Sequence, residues 1–166
     1  PGLEHRIGGL EKADLSGAVS YDPENHERMV RLRAEKVDRV VAEIPPTVID
    51  GPNEGRLLVL GWGSTYGSIA GAVRQARAAG LAVSRVHLRW LNPLPSDLAS
   101  VLSRFETVLV PEMNLGQLAL LLQGRLLRPV VSLTKVQGRP FPESEILRTI
   151  EALLSGPAPA EVGGVR

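Results

Sequence analysis

Glycines 61, 63 and 67 bracket Trp62, Ser64, Thr65 and Tyr66 directly after the apolar run Leu57-Leu58-Val59-Leu60. A glycine-rich turn between a strand and a helix is where dinucleotide pyrophosphates bind, because bare backbone lets a phosphate approach the helix N-terminus. Here the spacing is G-x-G-x-x-x-G. The acidic residue that such a fingerprint needs near the end of the next strand is missing, and His87-Leu88-Arg89 stands there instead. No G-K-[ST] sequence is present, which excludes a P-loop. Free N–H groups at the helix start can still attract an anion. The plainer reading, a tight turn with close packing, is favoured.

Three further segments carry polar or rigid chemistry. Pro111-Glu112-Met113-Asn114-Leu115-Gly116-Gln117 places Glu112 just past an apolar run and ahead of a helical pattern, where its charge suits the helix N-terminus. Asn114 and Gln117 have capping-box spacing. Arg89-Trp90-Leu91-Asn92-Pro93-Leu94-Pro95 is stiffened by two prolines and reads as an interface or packing element. Lys135 and Arg139 are possible anion contacts, for a phosphate or a partner carboxylate. His5, His26 and His87 have no ligand spacing, so no metal site is expected. His87 reads as packed and hydrogen-bonded within a strand. The absence of cysteine excludes a thiol nucleophile and cysteine-held iron–sulfur clusters within this chain. No G-x-S-x-G elbow is present either. A self-sufficient catalytic set is lacking, and no catalytic residue is assigned.

The elements that must position these residues alternate regularly. Asp22 suits an N-cap and Pro23 the first helical position of a helix expected to reach about Glu43, ahead of Pro45-Pro46. Glu24/Arg28, Glu27/Arg31 and Glu35/Arg39 have the favourable four-residue spacing. Arg33 and Lys36 share a side with its apolar stripe. That leaves two readings open: a self-packed arm, or a helix docked on a missing domain. Strands are expected at Leu57–Leu60, Leu81–Leu88, Thr107–Val110 and Val130–Leu133, with Thr47–Asp50 as an edge strand. Helices are expected from a Ser64 or Thr65 cap through Ala78, from Ser96, from Asn114 and from Pro142. Their inward residues are Ile69, Ala70, Val73 and Ala76, then Leu98, Val101 and Leu102, then Leu118, Leu121 and Leu122, then Ile146, Ile150 and Leu153.

Four strand–helix repeats predict a three-layer α/β/α domain around a mainly parallel five-stranded sheet, with an N-terminal helical arm. Chemistry then gathers beyond the carboxyl ends of the strands. The expected divisions are residues 1–46, an irregular segment and connecting helix; 47–155, the α/β domain; and 156–166, a flexible tail. A net charge of +1 gives no sign of a nucleic-acid or membrane surface. No apolar run approaches the ~20 residues of a transmembrane helix. A reducing cytoplasm is compatible with this composition. The start at Pro1 reads as a fragment of a longer polypeptide.

Several ordered motifs resemble one family. They are Gly2-Leu3-Glu4-His5, Ser20-Tyr21-Asp22-Pro23-Glu24-Asn25-His26, Leu32-Arg33-Ala34-Glu35-Lys36, Leu58 through Gly67, Leu91-Asn92-Pro93, Val110 through Gln117 and Lys135-Val136-Gln137-Gly138. Together they resemble the C-terminal portion of the α subunit of 2-oxoglutarate (2-oxoacid):ferredoxin oxidoreductases, over residues 2–155. The resemblance implies a domain similar to the transketolase C-terminal domain. It also implies a cytoplasmic parent enzyme that converts a 2-oxoacid and coenzyme A to acyl-coenzyme A and carbon dioxide, with electrons passing through an iron–sulfur cluster to ferredoxin. Thiamine diphosphate and magnesium would sit between an upstream pyrimidine-binding domain of the same chain and the β subunit, and none of these groups would be bound by this fragment alone. Glu112, Asn114, Gln117, Gly61, Gly63, Ser64, Thr65 and Tyr66 would then line an interface or active-site wall. A free-standing nucleotide or coenzyme A module, or a piece of transketolase or a dehydrogenase E1 component, are the alternatives.

Overall fold

The computed structural model describes residue 2 and residues 8–156. The expectations on Leu3-Glu4-His5 and on the tail beyond Gly156 lie outside the described residues. The chain forms two compact units, Pro1–Ile44 and Pro45–Arg166.

In the first unit, Asp22 caps α1 (Pro23–Asp38) by accepting from the Glu24 N–H at 3.1 Å. The helix expected to reach Glu43 ends at Asp38 and gives way to a 3-10 turn, Arg39–Glu43. Of the anticipated acid–base pairs, Glu27 does bind Arg31, at 2.6 Å. Arg28 instead binds Asp14 at 2.7 Å, because residues 11–20 fold back beside the helix through a Lys12–Val19 bridge. Glu11 accepts from Arg33 at 3.1 and 3.2 Å, from the Lys12 N–H and from His26. Those donors, Arg33 first, hold its carboxyl down at about 2. Arg33 thus has its partner within the arm.

The second unit is built on β1 (Ile49–Asp50), β2 (Gly55–Trp62), β3 (Ser84–Leu88), β4 (Phe105–Glu112) and β5 (Val131–Thr134), in the order β1-β3-β2-β4-β5. β1 runs antiparallel to β3, and the remaining pairs are parallel. The links are α2 (Tyr66–Ala78), α3 (Leu98–Ser103), α4 (Gln117–Leu126) and, after β5, α5 (Glu143–Ser155). Continuous apolar runs in β2 and β4 bury both faces, as a covered parallel sheet requires. Leu58, Leu60, Val86, Leu88, Val108 and Val110 pack on Leu98, Val101 and Leu102 of α3 and on Leu118 and Leu122 of α4. Leu57, Val59 and Leu109 pack on Ile69, Ala72, Val73 and Ala76 of α2 and on Ile146 and Ile150 of α5. The three layers expected from the alternation are present, with Ala72 rather than Ala70 turned inward on α2.

From β2 the chain moves to β3 on one side, then crosses back to β4 and on to β5. The winding therefore reverses between β2 and β4. The turns leaving those two strands part there and open a crevice at their carboxyl ends.

Candidate functional site

At this reversal Glu112 is the last residue of β4 and is completely buried, not beyond the strand as its sequence position suggests. One carboxylate oxygen accepts from the Leu118 N–H at 2.7 Å, the Asn114 amide at 3.2 Å and the Trp62 indole N–H at 3.3 Å. The other accepts from the Ala119 N–H at 3.0 Å. A buried carboxylate is costly unless its lone pairs are filled, and here donors from β2, α4 and the intervening turn fill them. Asn114 Oδ1 takes the next two donors, the Gly116 N–H at 2.7 Å and the Gln117 N–H at 2.9 Å. Only half of the anticipated capping box forms, since Gly116 is the capping residue, at a φ of 92° that glycine tolerates best. Gln117 contributes its backbone N–H. With these four N–H groups taken by Glu112 and Asn114, the start of α4 has no free donors of the kind that bind phosphate.

Across the crevice, the first turn also differs from expectation. Thr65 stands at the N-cap of α2, as one of the two expected positions, but gives the helix no side-chain hydrogen bond. The Thr65 hydroxyl donates to the Trp62 carbonyl at 2.8 Å and accepts from the Trp62 N–H at 3.3 Å, tying down a 3-10 turn over Gly63–Thr65. Gly63 has φ 55°, and Gly61 is where α2 presses onto β2. A Cβ at Gly61 would stand 2.3 Å from Ile69 Cδ1 and 2.9 Å from Thr65 Oγ1. Tight turn and close packing therefore account for both glycines. The Ser64 hydroxyl reaches Met113 Sδ at 3.6 Å. A shallow hollow of about 200 Å³ lies between Trp62, Gly63, Ser64, Thr65, Met113 and Asn114.

Tyr66 faces away from this crevice. Its ring meets His87 edge-on with centroids 5.0 Å apart, and the Arg85 guanidinium lies 5.1 Å from its centre. Together they border a larger cleft of about 420 Å³, walled by Pro45, Pro46, Thr47, Val48, Asp50, Leu88, Arg89, Trp90 and Pro95. Arg85 and His87 share one face of β3, opposite Val86 and Leu88. Asp50 accepts from Arg85 at 2.6 Å and from Arg77 at 2.8 Å, and these two cations, Arg77 first, hold its carboxyl below the usual aspartate range. The His87 imidazole, expected to be hydrogen-bonded, has no hydrogen-bond partner among the described residues. Burial, then the Arg89 and Arg85 charges, push its imidazole below the ordinary histidine value. Arg89 is exposed and has no ion pair among the described residues. In the sequence these residues stand apart, and only the alternation along β3 puts Arg85 and His87 on one face.

Lys135 and Arg139 lie elsewhere. Lys135 is bound to Glu145, and its ammonium sits 5.4 Å from the centre of the Phe141 ring. Arg139 donates to the Gln137 side chain at 3.2 and 3.3 Å.

Residues 56–135 match the family described as pyruvate:ferredoxin oxidoreductase core domain II. Over 157 residues the chain is 52% identical to the 2-oxoglutarate oxidoreductase subunit KorA of Mycobacterium tuberculosis, covering 94% of this chain and 24% of that one. The chain belongs to the 2-oxoacid:ferredoxin oxidoreductase α-subunit family. Subunit alpha of the 2-oxoacid:ferredoxin oxidoreductase 2 of Aeropyrum pernix is 32% identical over 154 residues, covering 89% of this chain and 24% of the relative. This member of the family therefore spans about a quarter of the length of these curated relatives. The 2-oxoglutarate:ferredoxin oxidoreductase of Magnetococcus marinus, solved with 2-oxoglutarate, coenzyme A and succinyl-CoA bound, superimposes with a TM-score of 0.81 at 29% identity over 93% of this chain and 28% of that one. A split-gene transketolase shares the fold at a TM-score of 0.52 and 15% identity, over 66% of this chain and 41% of that chain.

Proposed function

We propose that this chain serves a thiamine-diphosphate-dependent 2-oxoglutarate:ferredoxin oxidoreductase as a bracing domain of its α subunit. In this reading the carboxyl-end turns of the sheet pack against the neighbours that hold the cofactor. The parent reaction would take a 2-oxoacid, coenzyme A and two oxidised ferredoxins to an acyl-coenzyme A, carbon dioxide, two reduced ferredoxins and a proton.

One observation carries the proposal. Each turn leaving a parallel strand presents a large exposed apolar side chain: Tyr66 after β2, Trp90 after β3, Leu115 after β4 and Val136 after β5. Val48 adds a fifth, since the pairing of Ile49 with Val86 brings it level with His87. Leu120 on the side of α4 and Leu127 at its far end are the other exposed large apolar residues described in this unit. Apolar groups gathered at one end of a domain mark a protein interface. The upstream pyrimidine-binding domain of the α subunit and the β subunit are the partners this reading assigns to that end. Ser64, Met113 and Asn114 would form its wall at the crevice, with Glu112 beneath them as support.

Among the described residues no cluster of three or more His, Cys, Asp or Glu could hold a metal ion, and the sequence has no cysteine for an iron–sulfur cluster. Thiamine diphosphate, magnesium and the cluster are assigned to the rest of the parent enzyme, and no chemical step is placed on this chain. No described helix is long and apolar enough to cross a membrane. Calorimetric titration of the chain with thiamine diphosphate and magnesium tests the proposal. No binding at millimolar concentration and no 2-oxoglutarate turnover are expected, whereas tight magnesium-dependent binding would contradict it.

A further inference from the structure

The cleft beside β1 and β3 has properties that bracing alone does not require. Its volume of about 420 Å³ falls within the range of small-molecule sites. Its walls are stiff, with Pro45, Pro46 and Pro95 fixing backbone on two sides. Two of its lining side chains, those of Arg89 and His87, have no hydrogen bond or ion pair among the described residues.

Arg89 contributes a guanidinium with no ion pair among the described residues. His87 contributes an imidazole with no hydrogen bond among the described residues, able to donate from one nitrogen and accept at the other. The one carboxylate on the wall, Asp50, is already held by Arg77 and Arg85. The electrostatic balance at the cleft is therefore positive, which favours an anion. Trp90 is 39% exposed and Tyr66 52% exposed, and Arg85 lies over the Tyr66 ring. An apolar wall with a few convergent polar groups suits a ligand that has a flat apolar body and one charged end.

We propose that this cleft binds a small aromatic anion, with a carboxylate or phosphate group on Arg89 and His87 and the ring against Trp90. The inference goes beyond the bracing role: the cleft shares Val48, Tyr66 and Trp90 with the proposed docking rim, and ligand binding is read on the chain free of any neighbour, so each can fail without the other. The α4 N-terminus, which would otherwise compete for such an anion, has its leading N–H groups filled by Glu112 and Asn114.

The test is a titration of the full chain with benzoate, phenyl phosphate and neutral benzamide, followed through the Trp90 indole and His87 imidazole resonances. At least one anion is expected to saturate with a Kd of about 1 mM or tighter, and benzamide to bind roughly tenfold more weakly. Saturation by only one anion identifies whether carboxylate or phosphate is preferred. Arg89→Gln should weaken the anion about tenfold and leave benzamide unchanged, and His87→Phe, which keeps a ring beside Tyr66, should weaken it by a smaller factor. Failure of both anions to saturate by about 20 mM would overturn the proposal. So would equal anion binding by a folded Arg89→Gln protein, or shifts confined to Gly63 and Met113.

Discussion

Two polar clusters flank β2 at the carboxyl end of the sheet, and they are built on opposite terms. Between β2 and β4, Glu112 is buried and meets four donors, and Asn114 takes the two backbone donors beside it. At the end of β3, the side chains of His87 and Arg89 line an open cleft with no hydrogen-bond partner among the described residues. Both clusters look alike in a list of residue types, each with charged and aromatic members near a helix start. Their difference lies in satisfaction. A charge whose partners are all within the fold stabilises that fold, whereas a charge left without partners is available to something outside it.

Substitution should separate the two clusters by size of effect. Glu112→Ala would strand the Leu118 and Ala119 N–H groups, the Trp62 indole and the Asn114 amide. A loss of about 3 kcal/mol or more is expected in urea unfolding, and less than about 1 kcal/mol would show that the cluster is not structural. Gly61→Ala drives a methyl into Ile69 and Thr65. It should cost about 1–3 kcal/mol, readable as a lower Tm, and an unchanged Tm would place the packing of α2 in error. Asn114→Ala removes acceptors from the first turn of α4, for about 1 kcal/mol, with faster amide exchange at Gly116 and Gln117. At the cleft, Arg89→Gln and Trp90→Ala should each move stability by no more than about 0.5 kcal/mol.

The smallest expected effect is on pH dependence, and its sign is set by the direction of each shift. The folded value of His87 lies below its ordinary 6.5, so below that pH the unfolded chain takes the proton first. Its contribution is complete above 6.5 and declines as pH falls toward the folded value. Asp50 is depressed below 3.8, so its contribution persists to lower pH and is lost as pH falls through its own folded value. Thermal unfolding followed from pH 7.5 to 3 should therefore show an early, shallow decline that His87→Phe removes. An identical profile in that variant would assign the decline to another group.

Much of this fold was legible because it rests on local pattern. The runs Leu57–Leu60 and Thr107–Val110 were long enough to be read as buried strands, and the glycine at 80 marked the end of α2. The places where reading stopped short share one cause, contacts between residues distant in sequence. Trp62 and Glu112 are 50 positions apart, so the donor from β2 that fills the carboxylate had no local signature. Without it, β4 seemed to end at Val110. An edge strand within Thr47–Asp50 was legible, but not its antiparallel pairing with β3, which brings Pro45–Asp50 beside His87 and Trp90. Thr65 does stand at the N-cap of α2, but its hydroxyl serves the Trp62 backbone instead of the helix. The family motifs Leu58–Gly67 and Val110–Gln117 were conspicuous, and both proved to be halves of the same junction.

The proposed docking of the carboxyl-end rim is tested most directly in the parent α subunit that the proposal assigns, co-expressed with the β subunit it assigns as partner. Leu115→Glu and Val136→Glu place charge on that rim, and Leu127→Glu places the same charge at the opposite end of α4. Sedimentation of the purified complexes reads the outcome. The rim variants should lose the assembled species while Leu127→Glu retains it, and equal assembly by all three would contradict a docking role for the carboxyl end.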